Sequence, residues 1–271
     1  MQVAPLPRAK KRFGQNFLIQ PAIVTRILDA VAPTPQDTLV EIGPGPGALT
    51  RALLARLGPG TALRVIELDR DLLPGLQVLA PPEQLQVIAA DALQVDYLAL
   101  SQDLGKPLRI LGNLPYNIAT PLIFHLLEQR AAIVDLHFMI QKEVAERMAA
   151  LPGTHDYGRL SLMVQAQTKV EKLFLVGPGN FHPAPKVDSM VIRLTPHRPP
   201  RLAPALETAY AQVVRIAFAS RRKTLANNFK GILDRAMLTR LQISPERRAE
   251  TLSFDECQRL AEALLQQGVL S

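Results

Sequence analysis

The sequence predicts an α/β fold of the doubly wound, Rossmann-like kind, a mostly parallel sheet with helices on its faces, followed by a small all-helical region. Three observations predict it. Apolar runs of strand length alternate with helical patterns through the first two thirds of the chain, the residues ending those runs recur at nearly even spacing, and no strand pattern returns beyond a proline-rich seam. At 271 residues the chain has room for one full α/β domain and a smaller second one.

The elements follow in order. Residues 1–20 read as a basic arm. Pro21 to Val31 places apolar side chains at Ile23, Val24, Ile27, Leu28 and Val31, the spacing of a one-faced helix with proline in its first turn. Four short apolar runs come next, Thr38–Ile42, Ala62–Ile66, Leu85–Ala89 and Leu108–Leu111, and their near-continuous hydrophobicity predicts strands covered on both faces. Helical patterns at about 47–57 and 71–79 separate the first three. Further strands are expected at Asp135–Gln141, Leu160–Val176 with a break, and Ser189–Leu194, the last two able to pair antiparallel around the loop from Gly177 to Pro185. The seam Pro196-His197-Arg198-Pro199-Pro200 closes the sheet, and helices are expected at Ala205–Ala219, Leu225–Leu233 and Asp255–Leu265. The expected boundaries are therefore a 1–20 arm, a 21–196 sheet domain and a 197–271 helical domain.

Composition narrows the class. No stretch approaches the ~20 apolar residues of a membrane span, and the N-terminus has no apolar core of a secretory signal. The single Cys257 leaves no internal disulfide and agrees with a reducing, cytoplasmic setting. Five scattered histidines and one cysteine present no metal-ligand spacing, so no metal is assigned. The net charge of +7 is local: Arg8, Lys10, Lys11 and Arg12 give the arm +4, residues 197–230 carry +6, and the rest is acidic at −3. Two basic segments on an otherwise acidic body suit a polyanionic partner, nucleic acid above all.

The run ends Gly43, Glu67, Asp91 and Asn113 are 24, 24 and 22 residues apart, one strand-plus-helix unit each, which puts four polar positions at the carboxyl edge of one sheet. That edge is where open α/β sheets bind ligands. Glu41-Ile42-Gly43-Pro44-Gly45-Pro46-Gly47 follows a strand and opens a helix, and its glycines suit close backbone approach to a ligand. The glycine pattern with Glu67 as a ribose-binding acid fits a dinucleotide or S-adenosylmethionine alike. Three features favour the sulfonium cofactor: Glu41 facing a cationic methionine moiety, Asp91 accepting from an adenine amine, and the tetrapeptide Asn113-Leu114-Pro115-Tyr116. In that tetrapeptide the Asn113 side-chain oxygen and the Leu114 carbonyl can accept both protons of a planar exocyclic amine, Pro115 fixes the turn, and Tyr116 can stack on the base. The structural alternatives are a strand-end turn for the tetrapeptide and a helix cap for Asp91.

The chain resembles the rRNA adenine dimethyltransferase family, in particular its bacterial small-subunit branch. The resemblance runs through Phe13-Gly14-Gln15-Asn16-Phe17-Leu18, Glu41-Ile42-Gly43-Pro44-Gly45, Glu67-Leu68-Asp69, Asp91-Ala92, Asn113-Leu114-Pro115-Tyr116-Asn117, Phe181 to Ser189, and Arg221-Arg222-Lys223-Thr224-Leu225. It implies that Asn16, Leu18, Gly43, Glu67, Asp91 and Asn113 line an S-adenosylmethionine site and that Phe181 joins Tyr116 in sandwiching a flipped adenine. It further implies dimethylation of two adjacent adenosines in a loop near the 3′ end of small-subunit (16S) rRNA, within an immature 30S subunit, by a monomer. Lys10, Lys11, Arg12, Arg221, Arg222 and Lys223 are the expected phosphate contacts. Three rivals stay open: a large-subunit rRNA adenine methyltransferase of resistance type, a non-enzymatic RNA- or DNA-binding assembly or transcription factor on this fold, and a dehydrogenase.

Overall fold

Five parallel strands run side by side in the protein, and the order in which the chain visits them decides where its crevice lies. The computed structural model describes residue 7, residues 9–10 and residues 13–269. After a two-residue strand β1 (Phe17–Leu18) and a helix at Pro21–Val31 come β2 (Thr38–Ile42), β3 (Leu63–Glu67), β4 (Leu85–Ala89), β5 (Leu108–Asn113) and β6 (Ile133–Gln141). They are followed by β7 (Thr168–Val176), a two-residue β8 (Phe181–His182) and β9 (Ser189–Pro196). The main sheet has the order β4-β3-β2-β5-β6-β9-β7, parallel from β4 through to β6, with β9 antiparallel to β6.

The expected mixed Rossmann-like sheet is thus present, and its switch point falls between β2 and β5. The chain moves from β2 outward to β3 and β4, then returns to β5 on the other side. There the two backbones come very close: a side chain at Gly112 would overlap the Ile42 carbonyl oxygen, and one at Gly43 would lie 3.8 Å from the Asn113 carbonyl oxygen. Four of the five residues of β3 and all five of β2 are buried, which explains their near-continuous apolar runs. The Pro21–Val31 helix buries Val24, Ile27, Leu28 and Val31, as its spacing predicts. Its last carbonyls, which lack intrahelical partners, accept from arginines of the sheet, Val31 from Arg109 and Ala30 from Arg193, both at 2.7 Å.

Several expected elements shift. The pattern at 71–79 contracts to a helix at Leu73–Gln77, and the one at 225–233 to Leu225–Asn228, followed by an unexpected helix at Arg235–Arg240. The first half of the expected strand at 160–176 is a helix, Arg159–Gln165, and only Thr168–Val176 is strand. Local polar partners favour that helix: Gly158 N–H donates to the Ser161 hydroxyl at 3.1 Å, and the Gln165 amide donates to the carbonyls of Met148 and Ala150, both at 2.8 Å.

Two compact units emerge, residues 1–145 with 171–196, and residues 146–170 with 197–271. The expected domain boundary at 196/197 therefore misses one segment, since 146–170 groups with the C-terminal part. Its Tyr157, Leu162 and Ala166 belong to the same apolar cluster as Leu206, Tyr210, Val213, Phe229, Leu260 and Leu264. Within that unit the helices Pro204–Ala217 and Phe254–Gln266 are the longest, the second opened by Ser253 and Glu256 in a reciprocal cap. In the first unit, β1 pairs antiparallel with β8, so the end of the expected arm is part of the folded unit. Among the described residues no helix is long and apolar enough to cross a membrane, and no group of His, Cys, Asp or Glu could hold a metal.

Glu41 sits inside this packing. It is 1% exposed and accepts from the Thr50 hydroxyl at 2.7 Å. Burial pushes its carboxyl up to about 8, with the Thr50 bond opposing and the Glu67 charge adding to the rise. A raised folded-state value means the protonated form is favoured on folding, so this stabilisation is complete below the ordinary value of 4.5 and is lost as pH rises through about 8. Denaturant melts of Glu41→Gln should therefore show a smaller loss of stability between pH 5 and pH 8.5 than those of the native protein, by on the order of a few kcal/mol; identical pH profiles would refute the assignment. Gly112→Ala should lower stability by about 1–3 kcal/mol through overlap with the Ile42 carbonyl, read as a fall in the denaturant midpoint.

Candidate functional site

A cavity of about 260 Å³ opens at the carboxyl edge of the sheet, at the switch point, close to the lower end of the size range of small-molecule sites. Its walls come from the ends of four strands and from the segment before β1. Gly43 and Gly45 follow β2, Glu67 and Leu68 end β3, Ala90 to Ala92 follow β4, and Asn113 to Ile118 end β5. Phe13 to Phe17 supply the remaining side. Of the expected site residues, Asn16, Gly43, Gly45, Glu67, Asp91, Asn113, Leu114, Pro115 and Tyr116 are brought together here.

Each polar group is held in a defined way. The Asn113 side-chain nitrogen donates to the Asn16 carbonyl at 2.8 Å. A carbonyl oxygen can only accept, so the amide orientation is fixed and its oxygen is the group left to receive protons from a ligand. The Leu114 N–H donates to the Met139 carbonyl at 3.1 Å, which anchors the turn to β6. Tyr116 shares a 2.8 Å hydrogen bond between its hydroxyl and that of Ser189, which is fully buried, so the ring has a fixed orientation. Burial pushes the Tyr116 phenol upward, the Ser189 bond opposing.

The two oxygens of Glu67 accept backbone N–H bonds, Oε2 from Gly45 at 3.2 Å and Oε1 from Asp69 at 2.8 Å. Each oxygen keeps a second lone pair, so the carboxylate can still face two adjacent hydroxyls. Burial raises its carboxyl above the usual range against the pull of those bonds. Asp91 uses Oδ1 to accept from the Leu93 N–H at 3.0 Å and so closes a turn rather than capping a helix, since the next helix, Tyr97–Asp103, is capped by Asp96; its other oxygen is left for a ligand. Gly45 has φ +57°, a backbone conformation side chains rarely adopt, and a side chain there would stand 3.1 Å from the Phe17 ring.

Three expected site residues lie elsewhere. Leu18 and Phe181 are 6% and 4% exposed, belong to one core cluster, and pair through their backbones across β1 and β8. Phe181 therefore packs as a core side chain, and its ring is not part of the cavity wall. Glu41 is the buried partner of Thr50 and likewise does not line the cavity. Among the expected phosphate contacts, Lys11 and Arg12 lie outside the described residues. Lys10 is engaged by Asp69 and Asp71, both at 2.5 Å. In the second unit Arg221, Arg222 and Lys223 are exposed on the turn before the Leu225–Asn228 helix, and Arg221 bonds to Glu250 and to the His155 carbonyl.

Other residues were missed by sequence reasoning. Phe13, Gln15 and Phe17 line the cavity. Asp69 and Ser189 hold residues that line it, Gln15 and Tyr116 respectively. All five stand in the quoted motifs, so the signal was the motif and not the residue type.

Comparison with known proteins agrees with this geometry. Residues 7–266 match the family described as ribosomal RNA adenine dimethylase. The ribosomal RNA small subunit methyltransferase A of Acidithiobacillus ferrooxidans is 59% identical over 268 residues, covering 99% of each chain. The protein of the same name from Chromohalobacter salexigens is 50% identical over 261 residues, 95% of this chain and 92% of the relative. Among solved structures, a dimethyladenosine transferase from Plasmodium falciparum superposes with a TM-score of 0.79 at 27% identity, covering 94% of this chain and 99% of its own. The 23S rRNA methyltransferase ErmE follows at 0.70 and 26%, covering 93% and 100%.

Proposed function

Since the chain belongs to the ribosomal RNA adenine dimethylase family, we propose that its cavity takes S-adenosylmethionine and that it dimethylates the exocyclic amines of two adjacent adenosines in a loop near the 3′ end of small-subunit (16S) rRNA. The observation that carries this reading is the bond from the Asn113 amide nitrogen to the Asn16 carbonyl, which leaves the amide oxygen as an acceptor in the same cavity as Glu67 and Asp91.

The residues fit the cofactor. Glu67 offers two oxygens to the vicinal hydroxyls of a ribose, Ile66, Leu68, Ala90, Ala92 and Ile118 offer apolar surface to a flat purine, and Asp91 offers an acceptor to its amine. Gly43 and Gly45 carry no side chain to keep a ligand from the backbone. When bound, the cofactor supplies an electrophilic methyl group on a sulfonium.

The chain's own residues make the amine reactive. An adenine amine is a poor nucleophile because its lone pair is delocalised into the ring. Accepting its two protons at the Asn113 side-chain oxygen and the Leu114 carbonyl draws the nitrogen toward tetrahedral geometry and frees that pair. Tyr116, with its hydroxyl tied to Ser189, stacks on the base and keeps the nitrogen in line; such positioning accounts for much of the acceleration when two reactants must meet in line. The methylated nitrogen is cationic and releases a proton to water, so no general base is needed. A looped, single-stranded target lets the base be turned out at little cost. Phe181 has no part in this reading.

In this reading the partner is an immature small ribosomal subunit met in the cytoplasm by a monomer. Arg221, Arg222 and Lys223 contact its phosphates, supported by their exposure and by the local excess of positive charge.

Incubation with labelled S-adenosylmethionine and either immature small subunits or large subunits should place label on adenine amines of the small subunit alone. Label on neither would sink the enzymatic reading, and label on the large subunit alone would sink the substrate. Asn113→Ala should lower the methylation rate by about 10²-fold or more, the scale of losing one acceptor aimed at the reacting group, with the melting temperature nearly unchanged; a near-native rate would refute the amine-gripping role. Replacing Arg221, Arg222 and Lys223 together by Ala should flatten the plot of log affinity for RNA against log salt by about 2, and an unchanged slope would remove them from the phosphate contacts.

A further inference from the structure

The cavity has one side whose attachment to the end of β3 the proposed chemistry does not use. Phe13 to Phe17 lie before the Pro21–Val31 helix and carry little regular structure, a 3-10 turn at Phe13 and the entry of Phe17 into β1, yet they line the cavity. Their placement depends on a carboxylate two residues past Glu67. Asp69 is 3% exposed. Its Oδ1 meets the Lys10 ammonium at 2.5 Å, and its Oδ2 accepts from the Gln15 amide at 3.0 Å. Gln15 in turn accepts from the Lys10 N–H at 2.8 Å, which closes a small ring of bonds. Lys10 also meets the exposed Asp71. The Asp69 N–H, meanwhile, donates to Glu67 Oε1.

We propose that Asp69 is a positioning residue for cofactor binding, whose buried carboxylate latches Lys10 and, through Gln15, residues 13–17 onto the β3 end while its backbone N–H orients Glu67. The proposal rests on the cavity being the S-adenosylmethionine site. The same segment is fastened on its other side by the Asn113 amide bond to the Asn16 carbonyl. A ligand in the cavity would thus be enclosed between two fastenings, one at β3 and one at β5. Releasing the β3 fastening should let the segment swing while β5 still grips it, and the cofactor would then escape faster without damage to the amine-gripping turn. The Lys10 and Gln15 bonds hold the Asp69 carboxyl below its usual range despite burial, which alone would raise it, as a latch charged at neutral pH requires.

A plainer role for Asp69 is to brace its own turn, since Oδ1 also accepts from the Asp71 N–H at 3.2 Å. Asp69→Asn separates the two roles, because the amide oxygen can still accept from Asp71 while the charge and the Gln15 acceptor are lost. Cofactor dissociation is measured on the full chain by chasing bound labelled S-adenosylmethionine, together with steady-state rates. Asp69→Asn should raise the dissociation rate and the cofactor KM by about tenfold, the scale of losing a hydrogen bond to a charged group, and leave kcat within about twofold at saturating cofactor. Amide exchange should quicken over residues 13–18 and stay native over 70–77. Lys10→Gln should speed release by about threefold, toward the upper end for a partly covered ion pair, and Lys10→Arg should restore the native rate. Native release from Asp69→Asn, or equal release from Lys10→Gln and Lys10→Arg, would overturn the latch. Should Asp69→Asn fail to fold, the two Lys10 variants decide. Failure of the native protein to hold S-adenosylmethionine at all would instead overturn the cofactor reading.

Discussion

Everything at the cavity depends on how closely β2 and β5 approach where the chain reverses its direction across the sheet. The absence of a side chain at Gly112 lets the Ile42 carbonyl lie against that backbone, while Gly43 is required by its φ of +65° and not by space, since a side chain there would stand 3.8 Å from the Asn113 carbonyl. At the carboxyl edge of the sheet a polar side chain has to be held by partners of its own. Asn113 meets this constraint by bonding to Asn16, and Glu67 by accepting from Gly45 and Asp69. The reactive groups are therefore organised before any ligand arrives, a condition under which binding free energy is not consumed in ordering them.

The fold was legible because burial on both faces writes itself into composition. Strand β2, buried throughout, matches its predicted run residue for residue. Strand β4 matches in bounds too, but as an edge strand it buries only Leu85, short of the expected cover on both faces. The even spacing of Gly43, Glu67, Asp91 and Asn113 follows from successive strand-plus-helix units of similar length. Where an apolar run owes its hydrophobicity to a different neighbourhood, the same reasoning fails. Residues 160–165 read as strand because Leu160, Leu162, Met163 and Val164 are crowded together, but as a helix the hydroxyl of Ser161 and the amide of Gln165 donate to the carbonyls of Arg147, Met148 and Ala150. No pattern of hydrophobicity encodes those partners.

The site was legible in its strand ends and less so in its remaining wall. Polar residues at strand termini have few structural reasons to recur, so Glu67, Asp91 and Asn113 stand out. An aromatic such as Phe181 has two equally good uses, facing a base or filling a core, and the choice is made by the β1–β8 pairing, a long-range contact between residues 17–18 and 181–182. Lys10 shows the same ambiguity for charge. A basic arm suggests phosphates, yet two aspartates brought near by the fold claim this lysine.

The second compact unit is made of two pieces, 146–170 and 197–271, with most of β7 and all of β8 and β9 encoded between them. A gene fragment beginning at 197 would encode that unit's apolar cluster without Tyr157, Leu162 and Ala166. No single crossover can exchange one unit for that of a relative and leave both cores whole. Exchange of either unit with its core whole therefore takes more than one crossover.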